Sequence, residues 1–360
     1  MADTGAPSNS NRPISVGIIG AGYGLTSLLP VLELIPDYKV VCVANKPGVN
    51  LNSNIGAPPS NDVFFTNPKD LIRNSEIEVV LIASPPSTHE EYAIAALAAG
   101  KNIYCEKPVG LNFGSTWRIL QASRQNKKLF TVGYQFRFDP MIKWLRHQIL
   151  CDEIGEVTRV KIQWETSGAS KTPIGSWRNK LNLGGGVLRD FGSHIFDYLS
   201  FIDALNYSQA SREEEESHNF KSNITTRDIQ DVNFSGVFGR INLDCIISRT
   251  RTKPIGHGVR IIGTKGEAYA HHRPPFGSKD LTLEVLKQDG VRKYSTPDEI
   301  AIPKLFGSPL KQLDSRQLAS SHLFLNFAQA IRGTLNKSLP VLEDALFSQK
   351  LVDEAESALF

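Results

Sequence analysis

Along the first third of the chain, short apolar runs alternate with stretches in which apolar residues recur every three or four positions. Ile14–Ile19 is a β-branched run of the kind that a strand buried on both faces requires. Leu25, Leu28, Leu29, Leu32 and Ile35 then recur at helical spacing until Pro36 stops them. Residues 39–44 (KVVCVA) and 79–83 (VVLIA) predict two more strands, the second ending at Ser84-Pro85-Pro86. Residues 89–99 form an alanine-rich helical stretch, and Gly100 can cap it in the left-handed region. Asn102–Cys105 predicts a strand, 116–126 a helix and 130–133 a last strand. Strands and helices alternating at this spacing predict a doubly wound parallel sheet with right-handed crossovers.

Beyond residue 135 the period changes. Val157–Glu165 alternates apolar and polar side chains, as a half-buried antiparallel strand does. Residues 187–201 have helical spacing. Strand-like runs follow at 232–238, Ile241–Ser248, 259–262, 268–271 and 281–286. Two amphipathic stretches, 320–333 and 340–359, predict closing helices. A polar segment, 206–227, holds the four consecutive glutamates 213–216 and reads as a solvated loop. The expected class is therefore α/β. A Rossmann dinucleotide-binding domain over 13–135 precedes an α+β substrate and oligomerisation domain over 136–360, which carries a large, mainly antiparallel open sheet. Residues 1–12, small and polar, are expected to be a disordered tail.

Composition narrows the function. At roughly 150 residues per domain, 360 residues agree with two domains. With 40 basic and 37 acidic residues the net charge is +3, which offers no electrostatic case for nucleic acid. No apolar run approaches the roughly 18 residues of a membrane span, and the start lacks a signal-peptide pattern, so no membrane partner is expected. The four cysteines, Cys42, Cys105, Cys151 and Cys245, form no CxxC pair, which suggests a reduced, cytoplasmic setting. His271-His272 lacks a third ligand in the pattern, so no metal is expected.

The first chemical signal is the turn Gly20-Ala21-Gly22-Tyr23-Gly24 between the first strand and helix. Such a turn brings bare backbone and a helix N-terminus to a dinucleotide pyrophosphate. Gly20 and Gly22 fit the fingerprint, whereas Leu25 stands where a third glycine is usual and Gly24 stands beside it. After the second strand, the chain has Asn45-Lys46 instead of an acid that would bind the ribose 2′-hydroxyl. The cofactor is expected to be NADP or NAD, with NADP favoured because Lys46 could pair with a 2′-phosphate.

Later motifs resemble those of one family. Glu106-Lys107-Pro108 after the short strand, Ser84-Pro85-Pro86 with His89, Tyr134-Gln135-Phe136-Arg137-Phe138, and Gly184-Gly185-Gly186 followed by Asp190, His194 and Asp197 stand in the order found in the Gfo/Idh/MocA oxidoreductases. That resemblance implies an NAD(P)-dependent dehydrogenase or reductase acting on a CH–OH group of a sugar, nucleotide sugar or cyclitol. It implies Lys107, His194 and Asp190 as the catalytic and substrate-binding set, Lys107 and His194 in acid/base roles. Cofactor contacts are implied for Gly20, Gly22, Tyr23, Gly24, Asn45, Lys46, Ser84, Pro85, His89, Glu106, Lys107, Trp177 and Arg178. Arg137 is implied to reach substrate, or else to pack, and Asp197 to be a helix-surface or capping partner. The second sheet resembles the family's subunit interface, so a homodimer or homotetramer is expected. Two other classes remain open: a cofactor-binding sensor or scaffold without catalysis, and a glycosidase that uses NAD transiently.

Overall fold

Six parallel strands make the first sheet. They are β1 (Ile14–Ile19), β2 (Tyr38–Ala44), β3 (Phe64–Thr66), β4 (Val79–Ile82), β5 (Asn102–Cys105) and β6 (Phe130–Val132), in the order β3-β2-β1-β4-β5-β6. This computed structural model describes residues 12–45, 64–203, 219–221, 229–238, 240–274, 276, 280–294 and 315–359. Ile18, Val80, Leu81 and Ile103 have no exposed surface, because helices cover both faces. Strand order reverses between β1 and β4, which opens a crevice at their carboxyl ends, the usual ligand position of such sheets. One helical layer contains α2 (Pro68–Arg73), α3 (His89–Ala98) and α4 (Phe113–Asn126). β3 is too short to show a period, and α2 is marked in the sequence only by its Asn67 cap followed by Pro68.

The other face is covered by α1 (Leu29–Glu33) and by a helix from the far end of the chain. That helix, α7 (Ser315–Ile331), sends Leu323, Phe324 and Phe327 into the core formed with Ile14, Val16 and Ile18. The Tyr38 hydroxyl donates to the Phe324 carbonyl at 2.6 Å. The division expected at residue 135 is therefore crossed by the chain's own end. The final helix, α8 (Leu342–Leu359), bridges both units: Leu342 and Ala345 join the first sheet's core, while Phe347, Leu351 and Val352 join the second's.

The second sheet has eight strands: β7 (Val157–Glu165), β8 (Asn219–Lys221), β9 (Asp231–Phe238), β10 (Ile241–Ser248), β11 (Gly256–Gly263), β12 (Glu267–His272), β13 (Leu281–Lys287) and β14 (Gly290–Tyr294). Their order is β14-β13-β12-β11-β7-β10-β9-β8. β7, expected to be antiparallel, is so only toward β11; toward β10 it is parallel. The long connection through α6 (Ser193–Phe201) returns the chain in the same direction, as parallel pairing requires. One face of the sheet packs Val160, Ile162, Leu243 and Ile247 against α5 (Pro140–Leu150) and α6. The opposite face carries Arg159, Asp244, Arg260 and Glu267, and among them Val237 and Ile246 are exposed.

The helix expected from residue 187 has two parts. Residues 188–192 form a widened turn, and regular α6 starts at Ser193. Residues 1–11, Lys46 and the 213–216 glutamates lie outside the described residues; of the polar segment 206–227, only β8 is described. No helix among the described residues is long and apolar enough to cross a membrane.

Candidate active site

A cavity of about 620 Å³ opens where the carboxyl edge of the first sheet meets the second domain. Tyr23, Ser84, Glu106 and Lys107 line it from the first sheet's loops, and Asp190 and His194 from the start of α6.

Glycines determine how closely these segments approach. Gly20 has φ +112°, and a Cβ there would lie 2.5 Å from the Ala83 carbonyl carbon, so the β1 loop can pass the β4 loop only with glycine. At Gly24 a Cβ would come 2.8 Å from Ile18 Cγ2. Gly24 thus allows the close helix-to-strand packing that a third fingerprint glycine normally provides. Leu25, at that third position, is buried in the core, and the first turn widens so that the Leu29 N–H reaches the Gly24 carbonyl. Gly22 differs: a Cβ there would meet nothing within 4 Å. The fold does not need that glycine, whereas a ligand approaching the backbone does. The residues present therefore fit a dinucleotide, held by the Gly20–Gly24 turn with Tyr23, Ser84 and Glu106 further along the crevice.

The central contact joins residues 83 positions apart. Lys107 Nζ donates to Asp190 Oδ1 and to the Asp190 carbonyl, both at 2.7 Å. Lys107 follows β5, and Asp190 sits in the widened turn before α6, the kind of local helix irregularity that often marks functional sites. Burial would raise the Asp190 carboxyl, but the charges of Lys107, Arg178 and Arg249 outweigh it and hold the group well below the usual carboxylate range. Burial, then the Lys107 charge, pushes the His194 imidazole well below its ordinary value, so it is neutral near pH 7. Its Nδ1 is buried without a hydrogen-bond partner among the described residues, and the ring packs edge-on against Phe136 at 4.8 Å. A charge-fixed carboxylate, an ammonium and a neutral imidazole share one cavity wall, which is the equipment for proton transfer at a substrate oxygen.

Trp177 and Arg178 also line the cavity, with the guanidinium 4.5 Å above the indole. They come this close because Gly185 has no side chain: a Cβ there would lie 2.4 Å from the Trp177 carbonyl. Gly184, at φ +88°, likewise lets its loop press on Pro86, where a Cβ would be 2.6 Å from the proline Cβ. The glycine triplet thus seats the second domain on the loop after β4. Glu106 accepts from the Tyr104 hydroxyl at 2.7 Å, and burial raises its carboxyl although Lys107 opposes this.

Four of the expected residues, His89, Arg137, Pro85 and Asn45, do not line the cavity. His89 is buried, with Nδ1 2.9 Å from the Pro108 carbonyl and Nε2 2.8 Å from that of Ser84. It ties the β4 loop to the Lys107–Pro108 loop and does not line the cavity. Arg137, expected to reach substrate or else to pack, is buried between Asp197 (2.6 Å) and Asp344 (3.0 Å). Asp197 is thus neither a surface residue nor a cap; it anchors α6 to the crossover and α8. A guanidinium and its two carboxylates need one another once water is excluded. Pro85 and Asn45 stand at the carboxyl ends of β4 and β2, beside the cavity lining and not in it.

The cavity also contains residues with no sequence signal. Trp164 is sandwiched between Phe191 (4.3 Å, 14°) and His257 (4.2 Å, 12°). Arg249 follows β10, is 7% exposed, and bonds Thr172 Oγ1 at 2.9 Å and Gln230 Oε1 at 3.2 Å. An arginine directly after a buried strand was the only available hint.

A parallel sheet with a glycine turn at its switch point, joined to a sheet domain that completes an acid/base wall, defines a nicotinamide-dependent oxidoreductase. Residues 14–134 match the model for an oxidoreductase family with an NAD-binding Rossmann fold, and residues 142–269 match the Gfo/Idh/MocA C-terminal domain. The chain belongs to the Gfo/Idh/MocA oxidoreductases. It is 25% identical to an uncharacterized oxidoreductase of Synechocystis over 96% of this chain and 94% of that one. It is 22% identical to glucose-6-phosphate 3-dehydrogenase of Bacillus subtilis over 72% and 75% of the two chains. Among solved structures, the 3-ketoreductase KijD10 of Actinomadura kijaniata, in complex with NADP and TDP-benzene, superposes with a TM-score of 0.74 at 19% identity, covering 96% of this chain and 98% of its own.

Proposed function

We propose that the protein moves a hydride between NAD(P) and a secondary alcohol or ketone of a sugar, nucleotide sugar or cyclitol. The observation that carries this is the Lys107–Asp190 contact beside the neutral, partner-poor His194 in one cavity. When bound, the nicotinamide supplies the hydride acceptor or donor. Lys107 holds the substrate oxygen, and Asp190 fixes the ammonium and accepts from neighbouring hydroxyls. As the carbon loses its hydride, His194 takes the hydroxyl proton; in reduction it returns one. Names of relatives such as glucose-6-phosphate 3-dehydrogenase and myo-inositol 2-dehydrogenase support the substrate class. NADP is the favoured cofactor, because no carboxylate stands at Asn45-Lys46 to repel a 2′-phosphate.

The outer face of the second sheet, with Val237, Ile246 and Val291 exposed, supports a homo-oligomer joined there. Light scattering that finds only monomer at micromolar concentration overturns that part.

The test of the activity follows nicotinamide absorbance with a panel of sugars, sugar phosphates, nucleotide sugars and cyclitols, alongside titrations of NAD and NADP. Lys107→Met is expected to lower turnover about 10²- to 10⁴-fold while NADP still binds. Retained turnover removes Lys107 from the chemistry. Tight cofactor binding with no turnover of any panel member favours the non-catalytic sensor instead.

A further inference from the structure

Among the described residues, the cavity wall around Asp190 holds more positive charge than the neighbouring carboxylates neutralise. Lys107 takes the carboxylate through Oδ1 at 2.7 Å. Among the described residues, the nearest carboxylate oxygen to Arg249 is Asp190 Oδ2, at 3.8 Å, and the arginine's side-chain hydrogen bonds go to uncharged acceptors, Thr172 and Gln230. Arg178 has no carboxylate within ion-pair distance among the described residues, and it rests on the Trp177 ring. Lys171, exposed at the end of the 168–171 turn, lines the same cavity. Of the nearby acids, Glu106 is bonded to Tyr104 and faces Lys107, and Glu165 is paired with Arg251 at 3.3 Å.

A buried cation without a close counter-charge is costly, and folded proteins retain such groups chiefly where a ligand completes them. Burial pushes the Arg249 guanidinium below its usual value; the Asp190 charge opposes this, and the like charge of Arg178 adds to it, so the net effect is still downward. Asp190 supplies the counter-charge only in part, because its Oδ1 is bonded to Lys107 and its Oδ2 stands 3.8 Å from Arg249, beyond hydrogen-bond distance. A neutral polyol would leave the excess as it is. A carboxylate or phosphate would meet two guanidinium forks, the geometry that binds such groups in bidentate fashion.

We propose that the substrate carries an anionic group, a carboxylate or a phosphate, seated between Arg178 and Arg249, with Lys171 at the rim. This names the substrate class within the dehydrogenase reading above and rests on it. The group reaches this wall while the reacting carbon lies at Lys107 and His194, so the same arginines set both selectivity and orientation.

The experiment uses the full chain saturated with NADP+, which fills the glycine turn, and has two arms. In the first, turnover is compared for glucose, glucose 6-phosphate and glucuronate, and for myo-inositol and inositol 1-phosphate. At least one anionic member is expected to exceed its neutral counterpart in kcat/KM by about tenfold or more, the weight of a charge-assisted contact. Arg178→Gln is expected to collapse that ratio toward unity. In the second arm, inorganic phosphate is titrated against intrinsic tryptophan fluorescence. Saturable binding is expected that weakens about tenfold in Arg178→Gln and again in Arg249→Gln. Arg178 is only partly buried, so its variant keeps the test open if Arg249→Gln does not fold. Neutral sugars turned over as well as or better than anionic ones, with a ratio unmoved by Arg178→Gln, overturn the proposal and leave the dehydrogenase reading standing. Arginine-dependent phosphate binding without turnover of any sugar supports the anion site and removes the dehydrogenase reading. Phosphate binding that ignores both arginines, or no binding at all, counts against the site.

Discussion

Acidification offers a test that needs no substrate, because the cavity keeps histidines neutral. His257 lies on β11, with its ring stacked on Trp164 at 4.2 Å and Nε2 3.1 Å from the Tyr198 hydroxyl. Burial, helped by His272 and His271, lowers its pKa to about 3. In the unfolded chain the same imidazole titrates near about 6.5. Between those values the unfolded chain binds a proton that the native protein refuses. Stability from this group is therefore fully present above about pH 6.5 and declines as pH falls through the window down to the folded pKa. At about pH 5, roughly 1.5 units into that window, the loss is about 2 kcal/mol. His322, lowered to about 4, and His194 act in the same direction. The assay is denaturant unfolding at about pH 7.5 and about pH 5 for the wild type and His257→Gln. The wild type is expected to lose stability on acidification, and the variant to lose about 2 kcal/mol less. His257→Gln alters the contact with Tyr198, so its starting stability can differ; the readout is the difference between the two pH-dependent losses. Equal losses to within about 0.5 kcal/mol, or a wild type that gains stability in acid, refute the reasoning.

Gly22→Ala is expected to leave the melting temperature within about 2 °C, because its Cβ meets nothing, yet to weaken NADP binding about tenfold or more, as titration of cofactor fluorescence reads. Arg137→Met strands Asp197 and Asp344 without their cation and is expected to cost about 3–5 kcal/mol in denaturant unfolding. Phe324→Ala opens the first sheet's core, where the ring packs 4.8 Å from Tyr104, and is expected to cost about 3–5 kcal/mol. A variant Phe324→Ala that unfolds only the second domain, followed by proteolysis and peptide mapping, would contradict the packing of α7 on the first sheet.

Most of the Rossmann half was legible in the amino-acid order, because its evidence is local. A β-branched run, a glycine turn and a helical period lie within twenty or so residues, and parallel strands buried on both faces are apolar throughout. Gly20 and Gly22 are conspicuous for the same reason, and Lys107 stands at a strand's carboxyl end, where such sheets bind ligands. The motif series also indicated that His194 and Asp190 belong with Lys107.

Tertiary structure alone decided which distant residues meet. Nothing periodic in residues 315–331 shows that α7 covers β1 and β2, since an amphipathic helix can bury its apolar face against either sheet. Arg137 and His89 carry the same side chains whether they face a ligand or satisfy buried partners. Only packing revealed the carboxylates of Asp197 and Asp344 around one, and the carbonyls of Ser84 and Pro108 around the other. Arg249 had no motif because its nearness to Asp190, at 3.8 Å, joins residues 59 positions apart in sequence. Local order determined the elements and the backbone bends. Long-range burial, which removes water and makes each unpaired charge matter, determined the chemistry of the wall they form.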